Sequence, residues 1–325
     1  MEEKTLVKMQ VNDYSFIRKP KPQNWISRLK LPLILMALPT VVYIAIFCYI
    51  PIGGIIIAFK NYRAATGIFN SPWAGLGGFE HFYSFLIDPD FWGYLKNTLA
   101  LSIWSIVVNT LLPIIYALFL NEVRHKLSKK VIQIMMYAPY FVSVVVVVGM
   151  LFSFFRSESG ILTRLVMLFG LDGESLMQKP ESFVAIYIIS GVWQGLGWWS
   201  IIYMGSLANV DPNLHDAAKI DGAGRIRRIF SVNLPSILPM CIIVLIMNLG
   251  TVLSVGFEKV YLMQTVGNLT SSEIIATYVY RISFMSRPAL YSKATAIGLF
   301  NTVINVLILS IANFVSKKVS SNSLW

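Results

Sequence analysis

Inside otherwise apolar stretches of this 325-residue chain stand side chains that can hydrogen-bond a solute. They are mostly amides: Asn109, Gln194, Asn248, Asn301 and Asn305. A carboxamide both donates and accepts hydrogen bonds, as a sugar's hydroxyls require. Trp193, Trp198 and Trp199 add flat apolar faces suited to the C–H surface of a pyranose ring. Each amide has a second use, as a bond between packed helices, and from sequence the two readings stand side by side. Covalent chemistry has no comparable constellation. The chain holds no Gly-x-x-x-x-Gly-Lys-Ser/Thr phosphate loop and no His/Cys/Asp set at catalytic or metal-ligand spacing, so no catalytic residue, metal or cofactor is expected on it. Its two cysteines, Cys48 and Cys241, fall in apolar stretches and read as buried thiols.

A second group of residues lies in a polar segment, Asp211 to Arg225, which reads as helix, turn, helix. Asp211 suits an N-cap with Pro212 in the first turn. Ala217 and Ala218 favour helix, and Gly222 and Gly224 permit a sharp change of direction. The chain then returns to apolar sequence at Leu234-Pro235. The two alanines would let another chain's backbone approach closely, while Asp216 offers a carboxylate to basic groups.

The elements that must hold these residues follow from composition. Hydrophobic residues make up 56% of the chain and charged residues 13%, against about 25% charged in soluble proteins. Six stretches are long and apolar enough to cross a bilayer: approximately 31–59, 98–120, 131–155, 183–207, 236–256 and 289–315. Kinks are expected at Pro32, Pro39, Pro51, Pro113 and Pro139, which membrane helices tolerate when neighbours re-satisfy the freed backbone groups. The net charge of +11 is distributed by topology. Of the 27 Lys and Arg, 17 fall on one side of these spans, in 1–30, 121–130, 207–235 and 316–325, and nine fall in the opposite loops. The positive-inside rule then puts both termini in the cytoplasm, and the charge is no nucleic-acid footprint. Residues 1–30 form a basic cytoplasmic segment, 31–315 the transmembrane domain with a cytoplasmic loop at 208–235, and 316–325 a cytoplasmic tail. The first apolar run exceeds a removable signal peptide's core and reads as an anchor. The outer loop 60–97 is expected to be an aromatic-rich cap, and the stretch 273–281 a short helix lying on the outer surface. No Lys or Arg stands at a span centre, which counts against a tight site for a charged sugar.

The segment Asp216-Ala217-Ala218, then Gly222 after three residues, then Val232-Asn233-Leu234-Pro235 after nine, resembles the cytoplasmic signature of binding-protein-dependent ABC importer permeases. Asp stands for the family's Glu and Val for its Ile. Further likeness to carbohydrate permeases runs through Tyr49-Ile50-Pro51, Trp73-Ala74-Gly75-Leu76-Gly77-Gly78-Phe79, Leu120-Asn121-Glu122-Val123-Arg124, Phe257-Glu258-Lys259-Val260-Tyr261-Leu262, Thr277-Tyr278-Val279-Tyr280-Arg281 and Ser323-Leu324-Trp325. It is similar to the branch serving polysaccharide-derived oligosaccharides, such as alginate or rhamnogalacturonan fragments.

That resemblance implies an all-α, six-span permease of the type I ABC importer fold in a bacterial inner membrane. It implies that Asp216, Ala217, Ala218, Asp221, Gly222, Leu234 and Pro235 couple the chain to a separate ATPase, where ATP and Mg would bind. Implied partners are a second homologous permease, two ATPase subunits, an extracytoplasmic sugar-binding protein and membrane lipid. Gapless alignment through the motif places Gly195, Trp198, Asn248, Thr251 and Val255 at sugar-contacting positions of the maltose-type permease, with Gln194 beside them. Val255 offers no hydrogen bond there. The rival reading is an ion-coupled secondary sugar transporter. Such carriers usually hold acidic residues within the membrane, and none stands at a span centre here.

Overall fold

A computed structural model describes residues 31–157, 160–170 and 176–320. Its helices are α1 (Leu33–Phe59), α2 (Glu80–Leu86), α3 (Phe91–Asn121), α4 (Lys126–Tyr137), α5 (Val144–Phe154), α6 (Ile161–Leu168) and α7 (Pro180–Ala208). There follow α8 (Pro212–Ile220), α9 (Arg225–Leu249), α10 (Phe257–Met263), α11 (Ile275–Tyr280) and α12 (Tyr291–Ser320). Among the described residues there is no strand, only an isolated bridge between Lys60 and Trp73. The expected segment 1–30 and residues 321–325 of the expected tail lie outside the described residues.

Five helices, α1, α3, α7, α9 and α12, are long and apolar enough to span a membrane. A sixth span arises if Lys126–Phe141 and Val144–Phe154 are taken together, although they meet at 96°. The span expected at 131–155 is thus bent sharply at Pro139, one of the prolines where a kink is expected. The bend has a local cause: Pro139 sits in a tight 3₁₀ turn, and Ser143 restarts the helix as N-cap by accepting from the Val146 amide. Pro113, by contrast, sits inside α3 without ending it.

The chain divides into two units, Met1–Ile55 and Ile56–Trp325. In the first, the described part of α1 exposes Leu33, Met36, Val41, Phe47, Tyr49 and Ile50. Such an apolar surface suits lipid.

Three apolar clusters hold the second unit. One joins Leu101 of α3, Val147 and Leu151 of α5, Phe183 and Tyr187 of α7, and Val260 and Met263 of α10. Another joins Ile114 and Leu118 of α3, Tyr203 and Leu207 of α7, and Ile237 and Cys241 of α9. The third packs Phe85 and Phe91 against Ile275, Tyr278 and Ile297. Helix α11, expected on the surface, therefore has Ile275, Thr277 and Tyr278 buried. Helix α7 closely approaches another backbone at Gly197. A Cβ there would stand 2.2 Å from the Met136 carbonyl oxygen, so only glycine lets the end of α4 lie against α7.

Helix α9 ends at Leu249 rather than near 256, where the apolar run ends. Gly250, Thr251 and Ser254 favour leaving the helix, and the backbone they free must be paired. Asn305 of α12 does part of this, accepting from the Leu253 amide at 3.0 Å and donating to the Ser254 hydroxyl at 3.0 Å. The Ser102 hydroxyl of α3 donates to the Val252 carbonyl. This break turns the chain so that α10 comes back against α7.

Candidate functional site: a polar cavity and an exposed loop

Between the first two apolar clusters, α3 and α7 turn several polar and small residues toward a common hollow. The hollow is a cavity of about 370 Å³, within the range of small-molecule sites. Helix α3 contributes Ser102, Ser105 and Asn109; α7 contributes Gly191, Gln194 and Trp199; Asn248 and Thr251 stand at the end of α9. Of the residues expected along a sugar path, Gln194, Asn248 and Thr251 are thus brought together, and Val255 also lines this cavity.

Gly195 and Trp198 are not part of that group. Gly195 faces a neighbouring hollow of about 430 Å³, bounded by Tyr140, Phe141 and Ser143, which shares Gly191, Gln194 and Trp199 with the cavity. Trp198 stacks on Tyr140, ring centroids 4.3 Å apart and planes 3° from parallel. Its position one turn beyond Gln194 points it at the 138–141 turn, a neighbour that helical spacing alone does not reveal.

The amides differ in how free they are. Gln194 Nε2 donates to the Val142 carbonyl at 2.8 Å, tying α7 to the bend before α5, and leaves its oxygen available. Asn248 Nδ2 reaches Thr110 Oγ1 only at 3.5 Å. Asn305 is occupied by the break after α9, as described, and Asn301 borders a separate hollow with Phe257 and Tyr280.

One lining residue has a formal charge, and its place in the sequence suggests an outer loop. Lys259 of α10 is only 8% exposed and its ammonium lies at the cavity wall. Nζ donates to the Tyr187 carbonyl at 3.0 Å and sits 4.8 Å from the centroid of the Tyr187 ring. Burial pushes its pKa down to about 8, so the amine is still mostly protonated at pH 7. The signal available in the sequence is a lysine three residues after Gly256, at the edge of an apolar run.

On the far side of the second unit lies the segment 211–235. Asp211 caps α8 by accepting from the Asn213 amide at 2.9 Å. Gly222 closes it at φ +74°, and the amides of Gly222 and Ala223 donate back to the Lys219 and Ala218 carbonyls at 3.0 and 2.8 Å. This is a Schellman turn, which a residue with a side chain enters only under strain. No residue of α8 is buried; Ile220 is 87% exposed and Leu214 and Ile226 are exposed with it. Asp216 and Lys219 pair at 2.7 Å on the surface, and that hydrogen bond holds the Asp216 carboxyl below its usual range.

Leu234 and Pro235 do not begin the next helix, which already runs from Arg225. They follow a π turn over Ile229–Asn233, where Pro235 cannot donate to the carbonyl four residues back. This junction is anchored by Glu122, at the end of α3, which accepts from Arg228 at 3.5 Å and from Asn233 at 3.3 Å. At the opposite end Asp88 accepts from Lys293 at 3.1 Å and from the Tyr278 hydroxyl at 3.0 Å. Burial opposes the charged form of Asp88, but these donors and the Asp90 amide outweigh it and hold the carboxyl below its usual range.

Helices long and apolar enough to span a membrane, a cavity with polar groups between them, and the short helix α8, which buries no residue, fit a transport permease. The chain belongs to the family of binding-protein-dependent transport system inner membrane components, whose model matches residues 109–321. It is a multi-pass ABC transporter permease of the inner membrane. It is 37% identical to the polygalacturonan/rhamnogalacturonan transport system permease protein YteP of Bacillus subtilis, over 90% of each chain. It is also 37% identical to protein LplB of the same organism, covering 93% of this chain and 94% of that one. Among solved structures it superposes on a bacterial ABC transporter involved in the import of the acidic polysaccharide alginate, with TM-score 0.81 and 34% identity, covering 91% of this chain and 98% of the other. A second structure of the alginate transporter, in complex with an alginate pentasaccharide-bound periplasmic protein, matches with TM-score 0.82, 34% identity and coverage of 92% and 98%.

Proposed function

We propose that this chain is the permease subunit of an ATP-driven importer that translocates an oligosaccharide by alternating access, coupled to a partner ATPase through the 211–235 loop. The observation that carries the reading is α8 itself. It is capped at both ends by its own sequence, buries none of its residues and exposes Ile220, so it is built to be covered by another protein. An ATPase seated there could push α9 directly, because α8 and α9 are joined by the Gly222 turn.

The cargo reading draws on the cavity and on the relatives. Amides and hydroxyls from three helices suit a polyhydroxylated solute, and proteins similar to this chain over nine-tenths of its length carry rhamnogalacturonan or alginate. A fragment of a plant or algal polysaccharide, such as a pectin- or alginate-derived oligosaccharide, fits both. The complex would contain a second related permease, two ATPase subunits binding ATP and Mg, and an extracytoplasmic sugar-binding protein docking on the loops around Asp88 and Lys293. Both termini and the 211–235 loop would face the cytoplasm.

The test is uptake of radiolabelled oligosaccharide into lipid vesicles containing the whole complex and its binding protein. Uptake that requires ATP at the ATPase face and ignores ion gradients supports the reading. Uptake driven by a proton or sodium gradient without ATP would identify an ion-coupled transporter instead.

A further inference from the structure

Most of the cavity's polar lining is neutral: the hydroxyls of Ser102 and Ser105 and the amides of Asn109 and Asn248 suit a sugar's hydroxyl groups. Lys259 does not fit that pattern. The residue is more than nine-tenths buried, its ammonium donates one hydrogen bond to the Tyr187 carbonyl, and it forms no ion pair with any carboxylate among the described residues, its neighbour Glu258 included. Uncompensated burial of a cation is costly, so such a group in a transport protein points to a charge met along the path.

Its position is fixed. Val260 and Met263 on the same short helix are fully buried in the apolar cluster, which fixes the stem of Lys259, and Nζ lies close over Gly191. A Cβ at Gly191 would stand 3.4 Å from Nζ, in van der Waals contact, and both residues line the cavity.

We infer that Lys259 is an anion-reading residue of the cavity: it pairs with the carboxylate of a uronate unit as an acidic oligosaccharide passes, and favours acidic over neutral sugar chains. The remaining two N–H groups of the ammonium supply the bonds, and Asn109, Asn248 and the serines take the hydroxyls of the same or the next ring. One charge-assisted contact is strong enough to discriminate and weak enough to release, which a path requires. The inference rests on the transport reading above and adds to it a residue and a charge class.

The test uses the intact complex with its binding protein in lipid vesicles, and compares uptake of a galacturonate oligosaccharide with that of its carboxyl-reduced, neutral counterpart. Lys259→Gln, one atom shorter, keeps an N–H donor while removing the charge, and Lys259→Arg keeps the charge. The ratio of variant to wild type cancels the binding protein's own preference. The expected result is a fall of about tenfold or more in acidic uptake for Lys259→Gln, the usual scale of a hydrogen bond to a charged group. Lys259→Arg should stay within about threefold, and Lys259→Gln should leave neutral uptake, where wild type shows it, within about twofold. Equal acidic uptake in wild type and Lys259→Gln overturns the inference. So does an equal loss in Lys259→Gln and Lys259→Arg with the complex assembled. If Lys259→Gln fails to assemble, Lys259→Met takes its place, and the same two results in that variant overturn the inference. Wild type that imports the neutral probe but not the acidic one overturns the charge class and leaves the transport reading standing. ATP-dependent import of neither probe overturns both.

Discussion

The 211–235 loop and the cavity use similar small and polar residues, but they are assembled in opposite ways. Helix α8 owes its shape to neighbours within a few residues: Asp211 at one end, Gly222 at the other, alanines between. The cavity owes its shape to residues far apart in sequence, from Ser102 to Lys259, held by contacts such as Asn305 to the broken end of α9. A local device can be moved as a rigid piece without disturbing the fold, whereas a long-range one changes shape when the helices around it shift. That is the division of labour expected if one region receives motion and the other is reshaped by it.

The contrast breaks most visibly at Gly197. Gly197→Leu should force α4 away from α7, because the added Cβ alone would lie 2.2 Å from a backbone oxygen. The expected outcome is loss of assembled complex in size-exclusion chromatography, and a normal yield would show that the bend at 138–143 does not depend on that contact. Glu122→Gln should be milder. It leaves Arg228 without its carboxylate at a largely buried site, with an expected cost of about 1–3 kcal/mol and a melting temperature lower by several degrees.

Asp211→Ala sharpens the contrast from the other side. Losing the N-cap should weaken α8 by about 1 kcal/mol, yet leave the melting temperature unchanged because α8 buries nothing in the fold. ATP-driven uptake should fall by a few fold; a drop in melting temperature without a drop in uptake would reverse the assignment of the two regions. The smallest effect concerns pH. With its pKa pushed down to about 8 by burial, Lys259 is charged below that value and loses its charge as pH rises through it. The Tyr187 phenol is the titratable group beside it. Acidic uptake by wild type, divided by that of Lys259→Arg, should decline between about pH 7 and 9 and stay flat below.

The same contrast explains what is legible in the sequence. The long apolar stretches, the N-cap and the glycine turn of α8 are written in hydropathy and local chemistry, although the helix that contains the fifth stretch starts at Arg225 and stops at Leu249 rather than running over 236–256. Lys259 is hidden because the apolar run after Leu234 does not reveal where the helix stops. The end of α9 at Leu249 depends on Asn305 and Ser102, which stand 52 and 150 residues from the backbone groups they pair. Trp198 is a similar case: helical spacing puts it beside Gln194, but the Pro139 turn brings Tyr140 against its ring. The kink at Pro139 is legible from the proline, whereas its size, 96°, is not, because hydropathy is blind to direction.

The central claim is that the exposed loop transmits ATP-driven motion, and its most direct measurement is ATP hydrolysis by the complex in lipid with and without loaded binding protein, comparing wild type with Gly222→Asp. At φ +74° the aspartate strains the turn and adds a charge to the docking face while touching nothing else. The predicted result is intact assembly with stimulation by the binding protein reduced about tenfold or more. Full stimulation and full uptake in Gly222→Asp would contradict the account.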